Sequence, residues 1–201
     1  MTGMGNIFCI VEGHGEVEAV PILIRRICDT LRITEYPGIP QPMWIPANKL
    51  IQEGEHERAV ELGARKTGSD GAIIILIDCD DGCPATIGPT LLSRARTARP
   101  DRRISVILAK REYEAWFLAS IESLRGKRGI ATDSTAPQNP ERIRDAKGWL
   151  SDCMGANGPY TPTTDQSAFT QLFDLDAARS SGSFDKCYRE MSAILTEIIQ
   201  N

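Results

Sequence analysis

The chain has 201 residues, of which 41% are hydrophobic and 25% charged, values typical of one globular domain with at most a small appendage. The longest unbroken apolar run, residues 72–77, is too short to span a bilayer, so we expect no transmembrane segment and no membrane partner. No basic segment followed by an apolar stretch and a cleavage site opens the chain, so we expect no signal peptide. Six cysteines among apolar neighbours indicate free thiols and a cytoplasmic location.

The charges are unevenly distributed around a net charge of −4. Residues 1–93 contain seven Lys and Arg against thirteen Asp and Glu, whereas residues 94–111 contain seven Lys and Arg against one Asp. An acidic half beside a basic strip suits a site that binds cations together with a polyanion. The alternative interpretation is a solvated helix face and a loop without a binding role.

Short apolar runs alternate with helical patterns along the first two thirds of the chain. The β-branched runs predict strands at residues 6–11, 43–45, 72–77 and 104–109. Apolar residues at helical spacing predict helices at residues 16–31, 50–66, 86–98 and 112–124. This order predicts an α/β fold with a mostly parallel sheet of about four strands, flanked by helices.

The last third of the chain has a different character. It contains loop-like stretches rich in Gly, Pro and Thr, and helices are predicted near residues 140–154, 167–178 and 184–200. We therefore predict an α/β domain over residues 1–125 and a helical C-terminal subdomain over residues 126–201 that packs on it.

Acidic residues follow three of the predicted strands. They are, in chain order, Glu12, Glu16, Asp78, Asp80, Asp81, Glu112 and Glu114. Ligands of open α/β sheets bind at the carboxyl ends of the strands, so we expect these groups to converge there. Carboxylate oxygens with few histidines nearby select Mg²⁺ or Mn²⁺. The sequence leaves open whether Glu112 or Glu114 contributes, and either of these glutamates could instead cap a helix.

Glycines and basic residues beside the acidic groups are candidates for phosphate binding. Gly13 and Gly15 would allow a sharp turn through φ angles that other residues resist, and they would leave room for a phosphate near helix-terminal N–H groups. The strip from Arg94 to Arg103, or Lys110 and Arg111 after the fourth strand, would hold further phosphates. The endings that define a P-loop or a dinucleotide-binding turn are absent.

Two aromatic residues near these motifs have competing interpretations. His14 reads as a turn residue, and a role as a metal ligand is the less favoured alternative because hard-cation sites rarely need imidazole. Trp44 is either a packing residue or a surface on which a nucleobase stacks.

The order of these motifs resembles the TOPRIM fold of topoisomerases, DnaG-type primases and OLD-family nucleases. More closely, the chain resembles a bacterial TOPRIM-like group, domain-of-unknown-function family 4276, a relative of the RloB proteins. The matching segments are residues 11–21, 77–81, 111–119, 160–166 and 183–184. The resemblance implies that Glu12 is a general base or metal ligand and that Asp78 and Asp80 form a metal-binding pair. It also implies that Glu114 corresponds to the glutamate before the tryptophan of RloB-like proteins.

Together these observations predict a Mg²⁺- or Mn²⁺-dependent nuclease or phosphodiesterase that acts on DNA or RNA. The expected catalytic residues are Glu12, Asp78 and Asp80. The expected metal ligands are Glu12, Glu16, Asp78, Asp80, Asp81 and Glu114, and the expected phosphate-binding residues are Gly13, Gly15, Lys110 and Arg111. The resemblance implies an AAA- or ABC-type ATPase partner in anti-phage defence, and a homodimer is a further candidate assembly.

Two other functions fit the same motifs. The acidic site could bind a metal or nucleotide without chemistry, in an accessory subunit of an ATPase system. Alternatively, the protein could be a phosphatase or phosphotransferase with Asp78 as nucleophile and Asp80 as acid–base group.

Overall fold

The protein contains one four-stranded sheet in which every neighbouring pair of strands is parallel. A computed structural model describes residues 5–200 of the chain. The strands are β1 (Ile7–Val11), β2 (Met43–Trp44), β3 (Ala72–Asp78) and β4 (Arg103–Ala109), and their spatial order is β2-β1-β3-β4. The predicted α/β fold with a parallel sheet is therefore confirmed. The expectation of no signal peptide rests partly on residues 1–4, which lie outside the described residues.

Helices connect the strands and form the whole C-terminal region. They are α1 (Glu16–Thr30), α2 (Ala47–Leu50), α3 (Glu55–Thr67), α4 (Pro84–Ala98), α5 (Ala115–Ala119), α6 (Ala146–Met154), α7 (Ser167–Leu172), α8 (Leu175–Ala178) and α9 (Gly182–Ile199). Short 3₁₀ turns lie at Ile121–Leu124, Pro140–Arg142 and Gly155–Asn157, and a π-helical turn lies at Pro162–Gln166.

The sheet is covered on both faces, and successive residues of each strand pack on opposite sides. In β3, Ile74 and Leu76 belong to the core shared with α1, α5 and the C-terminal helices. Ile73, Ile75 and Ile77 belong to the core shared with α3 and α4. Burial on both faces explains why β3 is an unbroken apolar run instead of an alternating one. The first core is continuous across residue 126, and the domain boundary drawn there stays a prediction.

Four predicted helices are shorter or more divided than their sequence patterns indicate. The helix predicted near residues 140–154 begins only at Ala146, and the helix predicted near residues 167–178 is divided into α7 and α8. The helix predicted over residues 50–66 is interrupted at Gly54, which has a left-handed φ of +86° and whose N–H donates to the Glu57 carboxylate at 2.6 Å. The helix predicted over residues 112–124 ends at Ala119, because the Ser120 hydroxyl donates to the Trp116 carbonyl at 3.2 Å and the backbone continues as a 3₁₀ turn. Side chains of this type compete with the backbone for hydrogen bonds.

The parallel arrangement gives the sheet two distinct edges. We call the loops after the strands, residues 12–15, 45–46, 79–83 and 110–114, the carboxyl edge. We call the loops before the strands, residues 31–42, 68–71 and 99–102, the amino edge. All predicted acidic site residues lie at or directly beside the carboxyl edge.

The structure also shows whether any described helix could cross a membrane and whether the cysteines are free. Within residues 5–200, no helix combines the length and apolar character that crossing a membrane requires. The six cysteines, all within the described residues, are free. Four of them are buried, while Cys83 is exposed and Cys153 is half-buried.

Candidate functional site

Three carboxylates join the loops of the carboxyl edge through hydrogen bonds to backbone amides. Glu16 Oε2 accepts from the amides of Glu12 and Gly13 at 3.2 and 3.1 Å. Glu12 Oε2 accepts from the Asp78 amide at 2.9 Å. Asp78 Oδ1 in turn accepts from the Tyr113 amide at 2.9 Å. These hydrogen bonds fix the three carboxylates. The second oxygen of each carboxylate takes part in none of them.

A fourth carboxylate, Glu114, is buried beside these three, with 1% of its side chain exposed. Its Oε1 accepts from the Tyr160 hydroxyl at 3.0 Å. Its Oε2 lies 3.3 Å from Lys147 Nζ but makes no hydrogen bond. The Lys147 ammonium donates instead to Glu112 Oε2 at 3.2 Å. Glu114 is therefore the glutamate of its segment that faces the carboxylate group, and Glu112 is the one that holds the lysine.

Burial and mutual repulsion favour the protonated form of the most enclosed carboxyl groups. Burial raises the pKa of Glu16 to about 8, and the neighbouring Glu114 and Glu12 add to this shift against the amide hydrogen bonds. Burial also raises the pKa of Asp78 well above its ordinary range, with further contributions from Glu16 and Glu114. Since like charges cannot all ionise at such short range, a bound cation would take the place of these protons.

Burial and neighbouring charges also shift the pKa values of Glu12, Glu114 and Lys147. Burial raises the pKa of Glu12, opposed by the hydrogen bond from Asp78 and reinforced by Asp80. Burial raises the pKa of Glu114 as well, with Lys147 opposing it. Burial acts to lower the pKa of Lys147, but the nearby carboxylates outweigh it and the net shift is upward. Lys147 is thus a built-in cation that neutralises part of the cluster.

The backbone at the ends of β3 and β4 adopts an unusual conformation. Asp80 and Arg111 have left-handed φ angles of 45° and 65°, and the Asp80 amide donates to the Arg111 carbonyl at 3.0 Å. A left-handed conformation costs a non-glycine residue about 1–2 kcal/mol. Strain of this kind concentrates at functional sites, where the surrounding structure maintains it. Asp80 itself is exposed.

Asp81 lies apart from the buried carboxylates. Its carboxylate accepts hydrogen bonds from Arg111 and from Arg144, the latter at 3.0 Å. The Arg111 guanidinium is the main cause of the lowered pKa of Asp81. The predicted phosphate ligand Lys110 is half-buried, and its ammonium donates to the Gly82 carbonyl at 3.3 Å. The end of the carboxyl edge beside β4 therefore carries more positive than negative side chains around Asp81.

The two glycines of the first loop do not have the unusual φ angles predicted for them, and Gly15 is required instead by close packing. Neither Gly13 nor Gly15 has a positive φ, so the expectation that they supply an unusual backbone conformation is wrong. The Gly13 amide is bound to Glu16. At Gly15, a Cβ would lie 2.1 Å from Gln166 Oε1 and 2.5 Å from the Pro162 carbonyl oxygen. Gly15 thus permits close packing of the C-terminal region, and phosphate binding by either glycine stays a prediction.

The arginine strip predicted as a phosphate-binding element lies elsewhere. Because β4 begins at Arg103, the residues just before it are at the amino edge, opposite the carboxylates. Arg99 pairs there with Asp101 and Glu61. Arg94, within α4, pairs with Glu57. These arginines are engaged in ion pairs and do not reach the acidic site.

The carboxylates of the carboxyl edge fit a hard divalent cation by their chemistry but not by their placement. Their chemistry fits, because all offer oxygen ligands and because the buried Glu114 Oε2 lacks a hydrogen bond. Their placement does not converge: within residues 5–200, no three His, Cys, Asp or Glu side chains form a group that could hold a metal ion. Binding would therefore require side chains such as Glu12 and Asp78 to reorient.

The fold and this edge define the class of the protein. It is an α/β protein with a parallel sheet, whose carboxyl edge brings together buried carboxylates, a lysine and two strained backbone positions. The model of the family described as a domain of unknown function (DUF4276) matches residues 11–192. The chain belongs to this family, and the match includes every residue of the site. No curated protein and no solved structure matches the chain.

Proposed function

We propose that the protein is a divalent-metal-dependent nuclease or phosphodiesterase that acts on nucleic acid. The observation that carries the proposal is the meeting of Glu12, Glu16, Asp78 and Glu114 at the carboxyl edge, where burial and repulsion raise the pKa values of all four. Ligands of open α/β sheets bind at such an edge, and raised carboxyl pKa values are a common property of functional sites.

Each group has a proposed part in the reaction. Once their side chains reorient, Asp78, Asp80, Glu12 and Glu114 would hold a Mg²⁺ or Mn²⁺ ion. When bound, such an ion neutralises phosphate oxygens and lowers the pKa of water. Glu12, which keeps one oxygen outside the backbone hydrogen bonds, would accept a proton from the attacking water. Lys147, with 39% of its side chain exposed, would bind a phosphate oxygen and hold the Glu114 carboxylate in place.

The setting of the reaction is proposed from the resemblance to TOPRIM and RloB-like proteins. The Asp78–Asp80 pair follows β3 and Glu12 follows β1, and this order supports the proposed resemblance. On that basis we propose a cytoplasmic protein that works with an AAA- or ABC-type ATPase in anti-phage defence. DNA and RNA are both candidate substrates, and a second copy of the chain is a candidate partner.

The proposal is tested by a cleavage assay with labelled single-stranded and duplex DNA and RNA, in Mg²⁺ or Mn²⁺, with and without the candidate ATPase. We expect Asp78→Ala and Asp80→Ala to abolish cleavage, because both remove cation ligands. The matched control is Asp70→Asn, since Asp70 is exposed at the amino edge. Melting temperatures establish that each variant is folded. Cleavage retained in both folded alanine variants would contradict the proposal.

A second function is favoured by one observation. Lys147 already places a cation against Glu112 and Glu114, as a site that has dispensed with a catalytic metal could do. The protein would then be a non-catalytic metal- or nucleotide-binding subunit of an ATPase system. In that case the ATPase co-purifies with the chain, the isolated chain cleaves nothing, and Asp78→Ala weakens ligand binding without changing any cleavage.

A further inference from the structure

An exposed aromatic pair lies at the β2 end of the carboxyl edge. The rings of His14 and Trp44 are stacked, with centroids 4.0 Å apart and planes inclined by 19°. His14 is exposed, and 41% of Trp44 is exposed. By contrast, Trp116 is fully buried in the core. A large ring exposed at a defined surface position offers its face to a flat ligand.

The pair lies beside the carboxylates. Trp44 is in register with Val11 of β1, and the following Ile45 amide donates to the Val11 carbonyl at 2.9 Å. The next residue along β1 is Glu12, the first carboxylate of the site. His14 lies in the same loop, two residues from both Glu12 and Glu16. The backbone that carries the two stacked rings therefore lies directly beside the loop of the acidic group.

Charge and aromatic character are ordered along the carboxyl edge. The strand order places the rings at β2 and β1, the carboxylates at β1 and β3, and Lys110 with Arg111 at β4. Arg144 joins the basic end, since it shares Asp81 with Arg111. Adjacent strands are about 4.8 Å apart, so the distance from β2 to β4 is roughly 14 Å. An extended polyanion that carries flat apolar groups matches this order of aromatic, acidic and basic groups.

We infer that Trp44, backed by His14, stacks on an unpaired base of a single-stranded nucleic acid whose backbone crosses the carboxylates toward Lys110 and Arg111. The inference rests on the proposed function because it takes nucleic acid as the ligand. It adds that the bound nucleic acid is single-stranded. A base offers its whole face to an aromatic ring only when it is unpaired or terminal, and stacking on aromatic side chains is largely independent of base identity. The interior of a duplex would present only its backbone at this edge.

Binding is measured separately from cleavage, so that the two proposals can fail independently. The probes are a fluorescein-labelled 12-nucleotide oligothymidylate, an oligouridylate of the same length, and a 12-base-pair DNA duplex, each titrated by anisotropy in Ca²⁺. The variants are Trp44→Ala and Trp44→Phe. Tyr36→Ala is the matched control, because Tyr36 is 49% exposed and lies at the amino edge.

We expect Trp44→Ala to weaken binding of the single strands about ten-fold, the size of one lost stacking contact. Trp44→Phe should recover most of that loss, and Tyr36→Ala should change nothing. Quenching of tryptophan fluorescence by oligothymidylate should disappear in Trp44→Phe. Duplex affinity should be weaker and insensitive to all three changes.

Four outcomes separate the proposals. Wild-type affinity for single strands in Trp44→Ala overturns the stacking inference, even where cleavage persists. An absence of single-strand binding by the wild type overturns it as well, as does duplex binding with the same dependence on Trp44. Stacking by Trp44 without cleavage in any divalent ion supports the inference and contradicts only the proposed hydrolysis.

Discussion

The two edges of the sheet use the same residue types in opposite ways. At the amino edge, Asp101 pairs with Arg99, which lowers the pKa of this carboxyl group to about 2. At the carboxyl edge, Glu16 is buried beside other carboxylates, and its pKa is raised to about 8. At the amino edge Asp101 is paired with arginine at the surface, whereas the carboxyl edge buries Glu16 and Glu114 and places one lysine, Lys147, against Glu114.

This difference distinguishes the charges that are paired at the surface from those that we propose to be functional. Paired surface charges contribute modestly to stability and are screened by salt. Buried, under-neutralised carboxylates destabilise the fold at neutral pH, and such groups are common at functional sites. The arginine-rich strip, which stands out most in the sequence, therefore belongs to the edge of paired charges. The edge of the proposed site carries the less conspicuous Lys147.

The largest expected effect is that of Glu16→Gln on stability. The unfolded chain releases the Glu16 proton near pH 4.5, whereas the folded protein keeps it up to about pH 8, so the wild type loses stability as pH rises between these values. Glutamine keeps the acceptor oxygen for the two amides and does not titrate. One pKa unit corresponds to about 1.4 kcal/mol, and neighbours share the shift, so we expect a stabilisation of about 2–4 kcal/mol at pH 8.5.

Urea unfolding at several pH values, without divalent ions, measures this effect. The difference between Glu16→Gln and the wild type should be close to zero at pH 4.5 and reach its maximum above pH 8. An unchanged or lower stability of the variant at pH 8.5 would show that the carboxyl edge is not under electrostatic strain.

An intermediate effect is expected for Lys147→Met. Removing the ammonium leaves the buried Glu114 carboxylate without its cation, and breaking such a pair is destabilising. Because Lys147 is partly exposed, we expect a loss of about 1–2 kcal/mol at pH 8 and a smaller loss at pH 5, where Glu114 holds a proton more readily. The double variant Lys147→Met/Glu114→Gln should recover most of the stability. A loss that is independent of pH would assign Lys147 to packing alone.

The smallest effect is expected at the amino edge, for Arg99→Met. Its partners Asp101 and Glu61 are about half exposed, so the melting temperature should fall by less than about 2 °C. The low pKa of Asp101 places its titration below pH 4. The effect should therefore be constant from pH 5 to 8.5 and should shrink in 1 M salt. A fall comparable to that of Lys147→Met would remove the contrast between the edges.

The strands and the acidic loops could be predicted because local signals determine them. The run before Asp78 is short, rich in β-branched residues and apolar on both faces, which is typical of a central parallel strand. Parallel order then places Glu12 and Asp78 at one edge without knowledge of any side-chain contact.

Other features depend on tertiary packing that no local pattern encodes. Lys147 lies on a short helix nearly seventy residues after Asp78, and the face of α6 that meets the site depends on how the C-terminal region packs. Tyr160 lies within a segment that carries the family resemblance, which is the one signal that could have suggested its bond to Glu114. The stack of His14 on Trp44 follows from the register of β1 with β2, which the sequence does not specify.

The central claim is that the carboxylates of the carboxyl edge form a cation site, and calorimetric titration with Mn²⁺ and Mg²⁺ tests it most directly. The wild type, Asp78→Asn and the amino-edge control Asp70→Asn are titrated under the same conditions at pH 7.5. We predict binding by the wild type and by Asp70→Asn, with release of protons from the carboxyl groups, and loss of binding in Asp78→Asn. No binding by the wild type, or equal binding by all three proteins, would contradict the claim.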